Sequence, residues 1–351
     1  MTGIPTPIAT LLGSLRIGEP RPAGPLALAP VFGGLPAPAY LLGAQAIAQG
    51  LVHVDELDGG NVPSLVVHNA ADLPVLFLDG EHLVGGMQNR VLNTTVLLAA
   101  HSRTVVPVSC VEAHRWSYGT QHAMRPDADM AYPRLRQSKA ERVVENERLG
   151  RGALADQQEV WLDIEAKRRE AGAGASASGA MQDIFDQRRA RLEELLAPFP
   201  NPLERQTGVI AFVAGHPVVA DLFDEPRTLL ALWSRLVSGY ALEALGRRAR
   251  TPDVFSARGF LAEVIAEGHE VTVHDGIGIG EDVAVTTDRA LAHGLLWEDR
   301  IVHLAVFTRV RSGGRRSGKT GSASVAPPGR GAQRGWFGRD SVDPDPVRRQ
   351  P

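Results

Sequence analysis

The strongest constraint on this chain is one stretch of short β-type segments, residues 78–116, that is dense in hydrogen-bonding side chains. It reads L-D-G-E-H-L-V-G-G-M-Q-N-R-V-L-N-T-T-V-L-L-A-A-H-S-R-T-V-V-P-V-S-C-V-E-A-H-R-W. Asp79, Glu81, Gln88, Asn89, Arg90, Cys110, Glu112, His114, Arg115 and Trp116 all fall within it. Successive strand residues point to opposite faces, so a strand packed on a core sends some of these groups inward. A buried charge is costly unless it is paired, and such clusters concentrate at functional sites. The stretch is either a ligand site or a closed polar network, and the residues alone leave both open.

Counting every second residue puts Val106, Val108, Cys110 and Glu112 on one face. It puts Gln88 with Arg90 and leaves Asn89 opposite. Asp79-Gly80 favours a tight hairpin turn, since both residues tolerate positive φ. Gly85-Gly86 marks a second soft point, of the kind found at a bulge. Residues 91–99 and 104–112 read as two strands joined by A-H-S-R-T.

The flanks set the fold class. Residues 26–112 are rich in short apolar and β-branched runs, interrupted by a helical A-Q-A-I-A-Q closed by Gly50. Residues 134–171 are charged and helix-prone, with Val160, Ile164 and Lys167 at helical spacing. The alanine-glycine-serine run 171–180 reads as a loop. Residues 181–196 read as a helix stopped by Pro198, Pro200 and Pro202. Residues 207–219 read as a strand pair turning at G-H-P. Pro226 then opens a helix that Asp224 is placed to cap, with Leu229, Leu232, Trp233, Leu236, Val237 and Tyr240 as its apolar stripe. The runs H-E-V-T-V-H, E-D-V-A-V-T-T and R-I-V-H-L-A-V-F read as returning strands. The expected class is α+β: a β-rich N-terminal half, a helical middle segment and returning C-terminal strands. Residues 1–25 are expected to be poorly ordered apart from a short helix over 8–15. Residues 26–310 should form a single domain, and 311–351 a disordered, locally basic tail.

The totals narrow the partners. A formal net charge of -3 gives no global pull toward nucleic acid or an anionic membrane. One cysteine excludes an intrachain disulfide. No window is apolar enough for a spanning helix, and the N-terminus lacks the basic region of a signal peptide. The expectation is a cytoplasmic protein with no membrane and no specific nucleic-acid partner.

Two glycine-rich matches fail their context. G-G-R-R-S-G-K-T at 313–320 fits the P-loop expression, but G-S-A-S-V-A-P-P follows where a helix must begin. G-I-G-I-G at 276–280 leads into a strand, so it is a turn. The histidines show no metal-ligand spacing, although Glu112, His114 and His122, or His269 and His274, are conceivable ligands; no metal is expected. Cys110 as a nucleophile would need a base such as His114, and packing in the core beside Val106 and Val108 is favoured. Glu81 and Glu112 are the candidate acid–base residues. Arg90 and Arg115 are candidates to hold a phosphate or carboxylate, with Asp79, Gln88, Asn89 and Trp116 completing the ligand-binding set. The opposing reading pairs Arg90 with Glu81 or Glu112 in a structural network. Asp221 and His303 are further candidates for the same region, with a satisfied core histidine favoured for His303.

These motifs carry a resemblance. The run L-D-G-E-H-L-V-G-G-M-Q-N-R-V-L-N-T-T-V-L with V-P-V-S-C-V-E-A-H-R-W resembles the ADP-ribosylglycohydrolase- and rhodanese-phosphatase-associated protein domain family. Asp156-Gln157 with Val160-Trp161, the run ending D-L-F-D, W-S-R-L-V-S-G-Y-A-L-E-A-L and V-H-L-A-V-F carry it further, over roughly residues 26–310. The 171–180 run departs from it. The resemblance implies, by association, a place in NAD or ADP-ribose metabolism and an ADP-ribose-type small-molecule partner. It names no cofactor and no reaction.

Overall fold

Residues 3–57, 63–115 and 123–309 are described by the structure, a computed structural model. Trp116, His122, the P-loop look-alike and the C-terminal tail lie outside the described residues. The chain opens with α1 (Thr6–Ser14), β1 (Arg16–Ile17), β2 (Arg21–Ala23), β3 (Leu26–Phe32), β4 (Leu41–Leu42), α2 (Gly43–Ala48), β5 (Val52–Glu56) and β6 (Ser64–Asn69). The polar stretch supplies β7 (Val75–Phe77), β8 (Glu81–Val84), β9 (Arg90–Leu92), β10 (Val96–Leu98) and β11 (Ser102–Cys110). After β12 (Arg125–Met130) come the helices α3 (Pro133–Arg148), α4 (Gln157–Glu170) and α5 (Gln182–Leu196). Then follow β13 (Gly208–Val213), β14 (His216–Phe223), α6 (Pro226–Ala244), α7 (Val254–Ala262), β15 (Glu270–Asp275), β16 (Glu281–Thr286), β17 (Ala290–Trp297) and β18 (Arg300–Thr308). The α+β order is the expected one.

The strands form three sheets. A nine-stranded sheet runs β1-β3-β13-β14-β18-β17-β16-β15, with β2 also on β3. A six-stranded sheet runs β12-β8-β9-β11-β6-β5, and a three-stranded one β10-β7-β4. Alternation gives the large sheet two apolar faces. On one face Val209, Ala211, Val219, Leu295 and Phe307 pack with Leu135, Ile164, Phe185, Leu232 and Leu236 of the helices. On the other, Ile210, Phe212, Leu222, Leu304 and Val306 pack with Ile8 and Leu11 of α1 and Phe260 and Leu261 of α7.

That second face explains why the N-terminus differs from expectation. The short helix expected over 8–15 forms as α1, and the stretch otherwise expected to carry little order also holds β1 and β2; Ile8 and Leu11 of α1 cover apolar sheet surface that would otherwise meet water. The Asp79-Gly80 turn forms, with Glu81 N–H donating to Leu78 O at 3.1 Å. It is not a hairpin: β7 belongs to the small sheet and β8 to the six-stranded one. The expected strand over 91–99 is likewise two pieces, β9 and β10, in different sheets. β17 has no counterpart in the expectation, because His293 and Gly294 interrupt its apolar run. Gly294 is required there, since a Cβ would strike the Leu304 backbone of β18 at 2.9 Å.

The apolar stripe of α6 is buried as expected. Asp224 does not cap it. The N-cap position is Glu225, which makes no side-chain cap bond. Asp224 instead accepts the Tyr40 hydroxyl at 2.6 Å and the Ala37 N–H at 3.2 Å, which commits its carboxylate away from the helix.

Candidate functional site

The polar stretch divides into two clusters with different company. The inner one forms where the turn before β8 meets α3 and the large sheet. Asp79 receives two hydrogen bonds from Arg136 of α3, Nε to Oδ2 and Nη2 to Oδ1, each 3.0 Å. The same guanidinium donates to Asp221 of β14 at 2.9 and 2.6 Å. Asp221 also accepts the Tyr240 hydroxyl of α6, and its Oδ1 lies 2.9 Å from His303 Nε2. His303 Nδ1 lies 2.9 Å from Thr95 Oγ1, which accepts the Asp79 N–H at 3.2 Å. Burial opposes ionisation here, but the Arg136 charge wins and holds both aspartates below the usual carboxylate range. Every member is buried, so this is a closed node joining turn, helix layer and sheet. His303 is the satisfied core histidine that was favoured.

Lys139 is sealed beside this node. Its ammonium donates to Leu92 O, and burial pushes its pKa down to about 7. Nothing in the motif flagged Arg136, Lys139 or Tyr240. The available signal was helical phase: Leu135, Arg136, Lys139, Ala140 and Val143 share one buried stripe, so two cations sit where apolar residues belong.

Glu81 stands apart. It is buried, and its Oε1 lies 3.0 Å from Arg235 Nη1 of α6, off the angle of a hydrogen bond. Burial raises its carboxyl, and the Arg235 charge only partly offsets that. The structural-network reading paired Arg90 with Glu81 or Glu112; α6 supplies the partner of Glu81 instead, and Arg115 that of Glu112. Neighbouring His82 is sealed too, with Nδ1 2.7 Å from Asp127 Oδ2.

The outer cluster gathers the Q-N-R and C-V-E-x-x-R elements. Gln88 Nε2 donates to Glu112 O at 2.8 Å, and Arg90 Nη1 donates to Gln88 Oε1 at 3.1 Å, so Gln88 and Arg90 do sit together. Glu112 Oε2 accepts the Asn89 N–H at 3.2 Å and pairs with Arg115 Nη2 at 2.7 Å. Arg115 also donates to Asn89 Oδ1 and Gly86 O, and its side chain is 23% exposed. Arg90 is fully buried, yet among the described residues its Nε and Nη2 make no hydrogen bond; its ion pair is with Glu56 at 3.7 Å.

Cys110 is buried, its thiol donates to Glu112 O at 3.1 Å, and burial pushes its pKa up. Both are features of a packed thiol and not of an activated one. His114 is held elsewhere: its N–H donates to Ser178 O and its ring packs at Gly179. The alanine-glycine-serine loop therefore has a structural job, and Ala180 forms a β-bridge with Glu112. Gln157 opens α4 by gripping the Cys110 backbone, accepting its N–H at 2.8 Å and donating to its carbonyl at 2.7 Å. Among the described residues, no three His, Cys, Asp or Glu side chains gather in a way that could hold a metal ion.

The two clusters are built from the same blocks that carried the resemblance. The profile of the ARG and Rhodanese-Phosphatase-superfamily-associated Protein domain matches residues 14–307. The chain belongs to that family. The match begins before residue 26, in the segment where α1 ends and β1 begins, so the family takes in strands β1 and β2 as well. No curated protein and no solved structure matches the chain. No helix among the described residues is long and apolar enough to cross a membrane.

Proposed function

We propose that this family member is a ligand-binding domain whose recognition element is the outer cluster. Its ligand is a phosphate-bearing nucleotide metabolite of ADP-ribose type. Arg90 carries this reading: it is a fully buried guanidinium, and among the described residues its Nε and Nη2 make no hydrogen bond and meet only the Glu56 carboxylate, at 3.7 Å. A buried donor without an acceptor costs about 1–3 kcal/mol, more for a charged group. An anionic oxygen would supply the missing acceptor. Arg115, its side chain 23% exposed, is the second anion contact, with Gln88 and Asn89 orienting the rest.

Catalysis is the weaker reading. Glu81, Glu112 and Asp79 each already face an arginine, at 3.0, 2.7 and 3.0 Å. A general acid or base must reach the proton it moves, and the prominent cavities of the fold are lined by other residues. The test is a thermal melt of the full chain with millimolar ADP-ribose or NAD, beside an assay for their breakdown. A ligand that binds only the folded state raises the melting temperature, and a rise without turnover is expected. No shift with either nucleotide overturns the nucleotide reading. Turnover that disappears in Glu81→Gln or Glu112→Gln overturns the non-catalytic one.

A further inference from the structure

A separate cavity of about 660 Å3 opens between the turn joining β13 to β14, the end of α6 and the side of α7. None of the polar-stretch residues lines it. Its volume is that of a pocket for a small organic molecule. Val213, Pro217, Val218 and Phe260 give it apolar walls. Arg247 and Arg289 line it beside Glu243.

Among the charged side chains of this cavity, unspent guanidinium nitrogens outnumber unspent carboxylate oxygens: Glu263, which also lines it, uses one oxygen for Arg289. Both oxygens of Glu243 are spent, one on Lys167 Nζ at 3.1 Å and one on the Arg134 N–H at 3.0 Å. Arg247 commits a single terminal nitrogen, to Glu170, and Arg289 a single one, to Glu263 at 3.3 Å. Two nitrogens of each guanidinium remain, on side chains that are 42% and 70% exposed. The carboxylate paired with each arginine, Glu170 or Glu263, anchors it without exhausting its donors. An apolar enclosure with unspent guanidinium donors selects a molecule with an apolar body and an anionic group.

We propose that this cavity is a second binding site, for an amphipathic organic anion. The occupant is a flat or aliphatic body bearing a sulfonate, carboxylate or phosphate. Gly259 of α7 offers a clean block. It lines the cavity, and a Cβ added there meets nothing within 4 Å. A bulky residue at this position fills the cavity, and glycine is a poor helix former, so the helix does not suffer.

The experiment titrates the full chain with 1-anilinonaphthalene-8-sulfonate and with its uncharged counterpart N-phenyl-1-naphthylamine, by fluorescence. Expected are saturable binding of one sulfonate per chain and at least fivefold weaker binding of the neutral probe. Gly259→Phe should weaken sulfonate binding at least tenfold with an unchanged melting temperature. Arg247→Gln/Arg289→Gln should weaken it about fivefold while sparing the neutral probe. Unchanged sulfonate binding in Gly259→Phe overturns the proposal, as does equal affinity for the two probes. Sedimentation showing a dimer that Gly259→Phe dissociates also overturns it, by making a second copy the occupant.

Discussion

The inner and outer clusters use the same chemistry, arginine against carboxylates of one motif, and come to different ends. In the inner cluster one guanidinium meets two aspartates, and the second aspartate also meets a tyrosine and a histidine. In the outer cluster a fully buried guanidinium holds one amide oxygen and faces a carboxylate across 3.7 Å. Satisfaction, and not charge density, separates a polar group that holds the fold from one free to hold something else.

The largest test of this contrast is Arg136→Met. It leaves Asp79 and Asp221 buried without their cation, and breaking a buried pair in this way costs about 3–5 kcal/mol. Urea denaturation should show that loss. A loss under 1 kcal/mol would mean that the inner node does not hold the layers together.

Lys139 tests how dry the inner region is. Its folded pKa of about 7 lies below the ordinary lysine value of about 10.4. Between those values the unfolded chain binds the extra proton, so stability rises with pH across that window. The slope from this one group approaches at most about 1.4 kcal/mol per pH unit. Lys139→Met should remove it, read as melting temperature against pH from 7 to 10. An unchanged slope would place the ammonium in contact with water.

The smallest effect belongs to the outer cluster. Because Arg90 holds only Gln88 Oε1 and a distant Glu56, Arg90→Met should cost about 1–2 kcal/mol, clearly less than Arg136→Met, while abolishing any nucleotide-induced shift. A loss as large as that of Arg136→Met would erase the distinction between the clusters.

The elements were legible where one periodicity ran uninterrupted, as in the α6 stripe and in β18. The sheets were not. Asp79-Gly80 reads as a hairpin because turn chemistry is local, whereas the assignment of β7 and β8 to different sheets depends on partners far along the chain. The site was half legible for the same reason. The pairing of Gln88 with Arg90 follows from alternation, but the partners of Asp79 and Glu81 come from α3 and α6, 57 residues on in the case of Arg136. No spacing inside the motif could name them. Strands β1 and β2 were missed because they are two and three residues long in a Pro- and Gly-rich stretch, too short for any alternation to show.

Gln157 has a consequence for how the end of β11 is held. Among the described residues β6 pairs with β11 only as far as Pro107, and on that side of Cys110 a side-chain amide takes the rung. An amide carries the same donor and acceptor as a peptide unit, so one side chain satisfies a buried backbone that a strand would otherwise have to reach. One glutamine thus splices the start of α4 onto the end of β11, a helix standing in for a strand.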